Sequence, residues 1–204
     1  MRDERPSASR LLATVRRDLR AAWLAHRRYV FGSALLLLGS MLVGVRFWQR
    51  GRAIGDVPAA PLASKLLPRQ FSATTLLGDN MELFSLLVVG ALTLGILTAV
   101  GLFAQGIVAG YFLAVSAGQY GTGLLAVAVV PHNVPMFAAF VLAAAISFRL
   151  VVCTLGRLVG TRPQTLATDE WRQAGLLLAC AWLVLLSAAL IEAHVTFWLT
   201  ETLF

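Results

Sequence analysis

Residues 83–148, LFSLLVVGALTLGILTAVGLFAQGIVAGYFLAVSAGQYGTGLLAVAVVPHNVPMFAAFVLAAAISF, contain no Asp, Glu, Lys or Arg. A hydrocarbon core about 30 Å thick is crossed by roughly 20 helical residues, so a charge-free run of this length holds more than one crossing. Its punctuation says where the chain turns back: Gly118-Gln119-Tyr120-Gly121-Thr122-Gly123, then Pro131-His132-Asn133-Val134-Pro135. Outward from this run, apolar segments recur on both sides. Backbone groups inside hydrocarbon must be satisfied within their own segment, which favours helices. The expected fold is therefore all-α, a polytopic membrane bundle of about five transmembrane helices with a re-entrant element at 124–130 and an amphipathic helix at the N-terminus.

Composition excludes the soluble alternatives. The 204 residues are 58% hydrophobic and 13% charged with a mean hydropathy of +0.78, whereas a soluble domain is about 25% charged. A net charge of +7 would raise the question of nucleic acid in a soluble protein. Here Arg2, Arg5, Arg10, Arg16, Arg17, Arg20, Arg27 and Arg28 all precede the first apolar span, the pattern of a cytoplasmic flank against anionic lipid. The lipid bilayer is the expected partner, and nucleic acid is not. Cys153 and Cys180 both lie in apolar runs and read as small core residues.

Residues 1–28 form a basic leader, and 29–204 a single transmembrane domain. Leu12, Val15, Leu19 and Trp23 recur at three- and four-residue spacing, an apolar stripe that predicts a helix lying on the inner leaflet. The first span is 29–48, flanked by Tyr29 and Trp48 as interfacial aromatics. Residues 49–81 are a polar connection with Pro58, Pro61 and Pro68, in which 62–77 reads as a surface-lying amphipathic piece. The second span is 82–103, the third starts near Gln105, the fourth covers 133–155 and the fifth 175–198. Asn133 is placed to cap the fourth, with Pro135 in its first turn. Basic residues then favour a cytoplasmic N-terminus in the cell membrane, since Arg157, Arg162 and Arg172 fall on the leader's side and only Arg50, Arg52, Lys65 and Arg69 on the other. On this orientation Asn80, His132 and Glu192 all fall toward the outer side.

Those three residues are the candidates for chemistry. Glu192 lies about six residues before Trp198, roughly 9 Å inward along a helix, where a carboxylate must be paired, protonated or wet. If it meets His132 and Asn80 in one outward-facing cluster, the charge state of that cluster depends on pH. A zinc site from His132, His194, Glu192 and Asp79 lacks helical ligand spacing, because residues two apart do not share a face. Neither metal nor cofactor is expected. Ser116 with His132 is a remote nucleophile–base pair, and the surrounding glycines are explained by packing. Gly106-Ile-Val-Ala-Gly110 and Gly156-Arg-Leu-Val-Gly160 fit the small-xxx-small pattern and read as close helix contacts within the chain.

The ordered series of Asn80, Gly90, Gly95, Gln105-Gly106, Gly110, Pro131-His132, Arg149, Ile191-Glu192-Ala193 and Thr196 resembles the stage II sporulation protein M (SpoIIM) family over about 80–196. The family pattern has Pro-His-Gly with a glutamate three positions on, and Asn-Gly where this chain has Gln105-Gly106. Here Asn133 and Met136 take the glycine and glutamate positions, which removes one membrane carboxylate and any role that needs two. The resemblance implies a multi-helix membrane protein without enzymatic activity that assembles or localises envelope partners, or copies of itself. A small transporter or channel subunit, with a polar path near His132 and Glu192, is the alternative.

Overall fold

A computed structural model describes residues 8–54, 73–124, 126, 129–163, 167–196, 198 and 202. Five long helices account for nearly all of them: α1 (Ala8–Ile54), α2 (Ala73–Val89), α3 (Ile96–Leu124), α4 (Val130–Leu158) and α5 (Thr168–Leu190). A short 3-10 stretch, Gly90–Thr93, ends α2, and a π-helical stretch, Ile191–Thr196, continues α5. Each of the five helices contains a segment long and apolar enough to cross a membrane: Ala13–Gly51, Thr74–Thr93, Ile96–Gly118, Val130–Leu158 and Thr168–Val195. Most of the predicted surface piece at 62–77 lies outside the described residues, as do positions 125, 127 and 128 of the predicted re-entrant element.

The core is built around α4, which touches every other helix. Of its most apolar window 67% is buried, against 17% to 28% in the other four. The alanines explain this: Ala139, Ala143, Ala144 and Ala145 are fully buried together with Phe140. Short side chains let neighbouring backbones approach on several sides, which is how helices gain contact where no hydrophobic force separates them from lipid. Leu37 of α1, Phe84 and Leu87 of α2, Leu102 of α3, and Ala181, Leu185 and Ala188 of α5 pack into the same core.

Parallel helices α1 and α3 make the closest pairing. A Cβ at Gly106 would overlap Ser40, and one at Gly110 would overlap the Met41 backbone, so both positions require the absence of a side chain. Trp48 and Tyr111 close the same seam edge to face at 5.9 Å. Gly156 and Gly160, expected to seat a helix as well, instead terminate α4. Gly160 takes φ 76° and the N–H groups of Thr161 and Arg162 both reach back to the Gly156 carbonyl, satisfying a carbonyl that the helix end leaves open.

Three expectations are corrected. The second and third spans do not meet near residue 104. The chain reverses at Leu94 and Gly95, both with positive φ (53° and 82°), and α2 starts nine residues earlier than expected. The reversal is held by Thr98, whose hydroxyl bonds to the Leu87 carbonyl at 3.0 Å and to Ser147 of α4 at 2.6 Å. A hydropathy reading passes through this turn because every residue from 83 to 103 is apolar or small. The leader does not form a separate helix either: α1 runs unbroken through Arg28 and Tyr29 for 47 residues, about 70 Å at 1.5 Å per residue, with no Gly or Pro between Ala8 and Phe31 to break it. Finally, the Val15, Leu19 and Trp23 stripe is exposed while Ala22 and His26 are buried. The packed face was chosen by a small residue and a polar partner, which apolar periodicity does not register.

Candidate functional site

Two polar clusters tie the helices together, one at each end of the bundle. At the first end, α4 opens with Pro131 in its first turn, where a missing N–H has no intrahelical partner to lose. The Asn133 amide, expected to cap that turn, instead donates to the Val129 carbonyl at 2.8 Å and to His132 Nε2 at 2.9 Å. His132 therefore presents Nε2 as an acceptor. Across from it the π-helical stretch brings Glu192 Oε1 to 3.9 Å of the same nitrogen, outside hydrogen-bond range but within reach of an ion pair. Extra-wide turns of this kind recur at functional sites because they re-aim a side chain. Here the turn carries Glu192 toward α4, while the next histidine, His194, is exposed and bonds back to the Leu190 carbonyl at 3.1 Å. The His132 and Glu192 side chains, partly buried on both sides, thus face each other without a direct hydrogen bond between them.

The structure brings His132, Asn133 and Glu192 together. Asn80 bonds within α2, its amide donating to the Leu76 carbonyl at 3.0 Å. Gly106 lies elsewhere, on the face of α3 that meets α1, with Gln105 beside it in the chain. Among the described residues no three His, Cys, Asp or Glu side chains group closely enough to hold a metal ion, and Cys153 and Cys180 are free thiols.

At the opposite end Arg149 is only 8% exposed on α4. Its Nη2 donates to Glu170 Oε1 of α5 at 3.1 Å. Its Nη1 stands 3.2 Å from Nε2 and 3.1 Å from Nδ1 of His26. Since Nδ1 of His26 donates to the Ala22 carbonyl at 2.8 Å, Nε2 is the acceptor and the imidazole is neutral in this arrangement. Gln173 Oε1 completes the guanidinium's surroundings at 3.5 Å. The same oxygen accepts from Arg162 at 2.9 Å, and Oε2 accepts from the Ala167 N–H at 2.9 Å, so one carboxylate closes the first turn of α5 and faces two arginines. The hydrogen bond to Glu170 raises the Arg162 pKa above its ordinary value. Farther along α1, Asp18 pairs with Arg172 of α5.

Sequence reasoning named Arg149 but missed His26, Glu170 and Gln173. The usable signal was depth. An arginine following directly on a charge-free run needs a carboxylate at its own level, and Glu170 opens the next helix at that end, while His26 is the last ionisable side chain before the α1 span apart from Arg27, Arg28 and Tyr29.

No curated protein and no solved structure matches the chain. The family model described as stage II sporulation protein M matches residues 33–197, which takes in α2 to α5 whole, the C-terminal part of α1 from residue 33, and both polar clusters except His26 and the leader. With four apolar helices around a buried α4 and that match over most of its length, the chain is a multi-pass membrane protein and belongs to the SpoIIM family.

Proposed function

We propose that the protein is a non-enzymatic scaffold of the cell membrane, oriented with its N-terminus in the cytoplasm, that holds envelope proteins in place. The observation carrying this reading is the buried, alanine-lined seat of α4 among all four neighbours. Its polar side chains are engaged with one another at the two ends, leaving the middle to apolar packing. Such a bundle is suited to presenting fixed surfaces. On this orientation the Arg149 and Glu170 cluster lies at the cytoplasmic end, and His132 with Glu192 at the outer end beside the connections that would meet partners.

The test is in-membrane crosslinking and mass spectrometry of tagged wild type beside His132→Ala and Glu192→Gln at matched expression. Stoichiometric envelope partners that are lost in the variants support the scaffold; absence of any partner refutes it. Orientation is checked by single cysteines, Ser64→Cys and Thr165→Cys, in a background lacking Cys153 and Cys180. The first should label from outside and the second from inside.

The second reading, a small transporter subunit, has one observation in its favour: a histidine and a carboxylate facing each other beside a π-helical stretch. Proton or solute flux in reconstituted vesicles that disappears in Glu192→Gln would establish it.

A further inference from the structure

One groove belongs neither to the core nor to either polar cluster. It lies between α2 and α5 at 81–89 and 175–183, has a volume of about 640 Å³, and is lined by apolar side chains with Ser85 as a lone hydroxyl. Gly175 and Ala179 form its recess; a Cβ added at Gly175 would meet nothing within 4 Å. Phe84 forms the floor and Trp182 one wall.

We propose that this groove seats one acyl chain of an anionic phospholipid, with the head-group phosphate against Arg172. Size favours a chain. The groove falls in the range of roughly 300–1,000 Å³ typical of clefts that hold one small molecule. Its length agrees too: nine helical residues rise about 12 Å, close to the half-thickness of about 15 Å that one leaflet contributes to the hydrocarbon core. Charge decides the head group. Trp171 and Arg172 stand one turn beyond Gly175, toward the end that holds Glu170, and Trp171 is exposed as an interfacial aromatic would be. Arg17 and Arg172 share Asp18, just as Arg149 and Arg162 share Glu170. Each of these carboxylates thus faces two guanidiniums and the end keeps a positive excess, with Asp169 a further turn out toward water. A phosphate at Arg172 supplies the missing negative charge.

The experiment is photolabelling of the full chain in phosphatidylcholine vesicles containing phosphatidylglycerol whose acyl chain carries a diazirine, with the adducts mapped by mass spectrometry. Adducts should concentrate at 81–89 and 175–183, several-fold above the lipid-facing Leu35 and Leu42 of α1, and Ala179→Leu should remove them. Arg172→Gln should lower the preference for phosphatidylglycerol over an equivalent phosphatidylcholine probe about fivefold. The wild-type pattern is informative even if a variant fails to fold. Adducts spread evenly over α1 and the groove, equal labelling of the groove by the phosphatidylcholine probe, or a chain-to-chain crosslink through Trp182 overturns the proposal.

Discussion

Replacing Glu170 by Gln should be among the most damaging single-atom-scale changes in this protein. The substitution keeps the side chain's shape and an oxygen that can still accept from the Ala167 N–H, so the lost quantity is charge. Arg149 Nη2 lies 3.1 Å from Glu170 Oε1, and the two side chains are only 10% and 18% exposed. At an effective dielectric of about 20, unit charges at that separation attract by about 5 kcal/mol. Removing one member of a buried pair costs about 3–5 kcal/mol, because the other charge stays buried. Glu170 keeps some contact with solvent, which relieves part of the penalty, so the expected loss is about 3 kcal/mol. Reversible unfolding in mixed micelles, followed by tryptophan fluorescence, measures it. Asp169→Asn, on an exposed neighbour, should stay within about 0.5 kcal/mol of wild type. The double variant Arg149→Met/Glu170→Gln should recover at least half of the loss, since no unpaired charge then remains buried. A Glu170→Gln variant as stable as wild type within about 0.5 kcal/mol would refute the reasoning.

The remaining expectations use the same unfolding assay. Glu192→Gln should cost under about 1 kcal/mol, because the partly exposed His132 and Glu192 groups are 3.9 Å apart and such pairs contribute little; a loss near that of Glu170→Gln would show a stronger coupling. Gly110→Leu drives a side chain into the Met41 backbone and should destabilise by at least about 2 kcal/mol, whereas Gly78→Ala, with open space around it, should be neutral or stabilise by up to about 1 kcal/mol. Leu94→Gly should stabilise by about 0.5–1 kcal/mol, the balance between about 1–2 kcal/mol of left-handed strain relieved and the added freedom of the unfolded chain. Gly95→Ala should be destabilising by about 1–2 kcal/mol at its φ of 82°. Destabilisation by Leu94→Gly together with a neutral Gly95→Ala would disprove the positive-φ reversal.

Hydropathy alone was sufficient for the number of spans and the membrane class, because crossing a bilayer depends on the local sum over about 20 residues and needs no knowledge of neighbours. The order of the spans followed from the charged connections on either side of 83–148 and, within that run, from its glycines and prolines. That His132 and Glu192 face the same end was likewise legible, since an even or odd count of crossings decides it, whereas Asn80 lies midway along α2. What the sequence left open was pairing. In lipid the apolar faces of α1 compete on equal terms, so the buried face fell to Ala22 and His26 because Arg149 required a polar partner there. The Leu94–Gly95 reversal escaped notice because its signal is backbone conformation stabilised by Thr98 and Ser147, two residues from different helices. Glu170 reads from the sequence as one charge in a mixed loop, and only the tertiary structure, by stacking α1, α4 and α5 at one level, makes it the carboxylate facing two arginines. Span count is a one-body property of the chain, whereas a buried charge acquires its role from whatever the fold sets within about 3 Å of it.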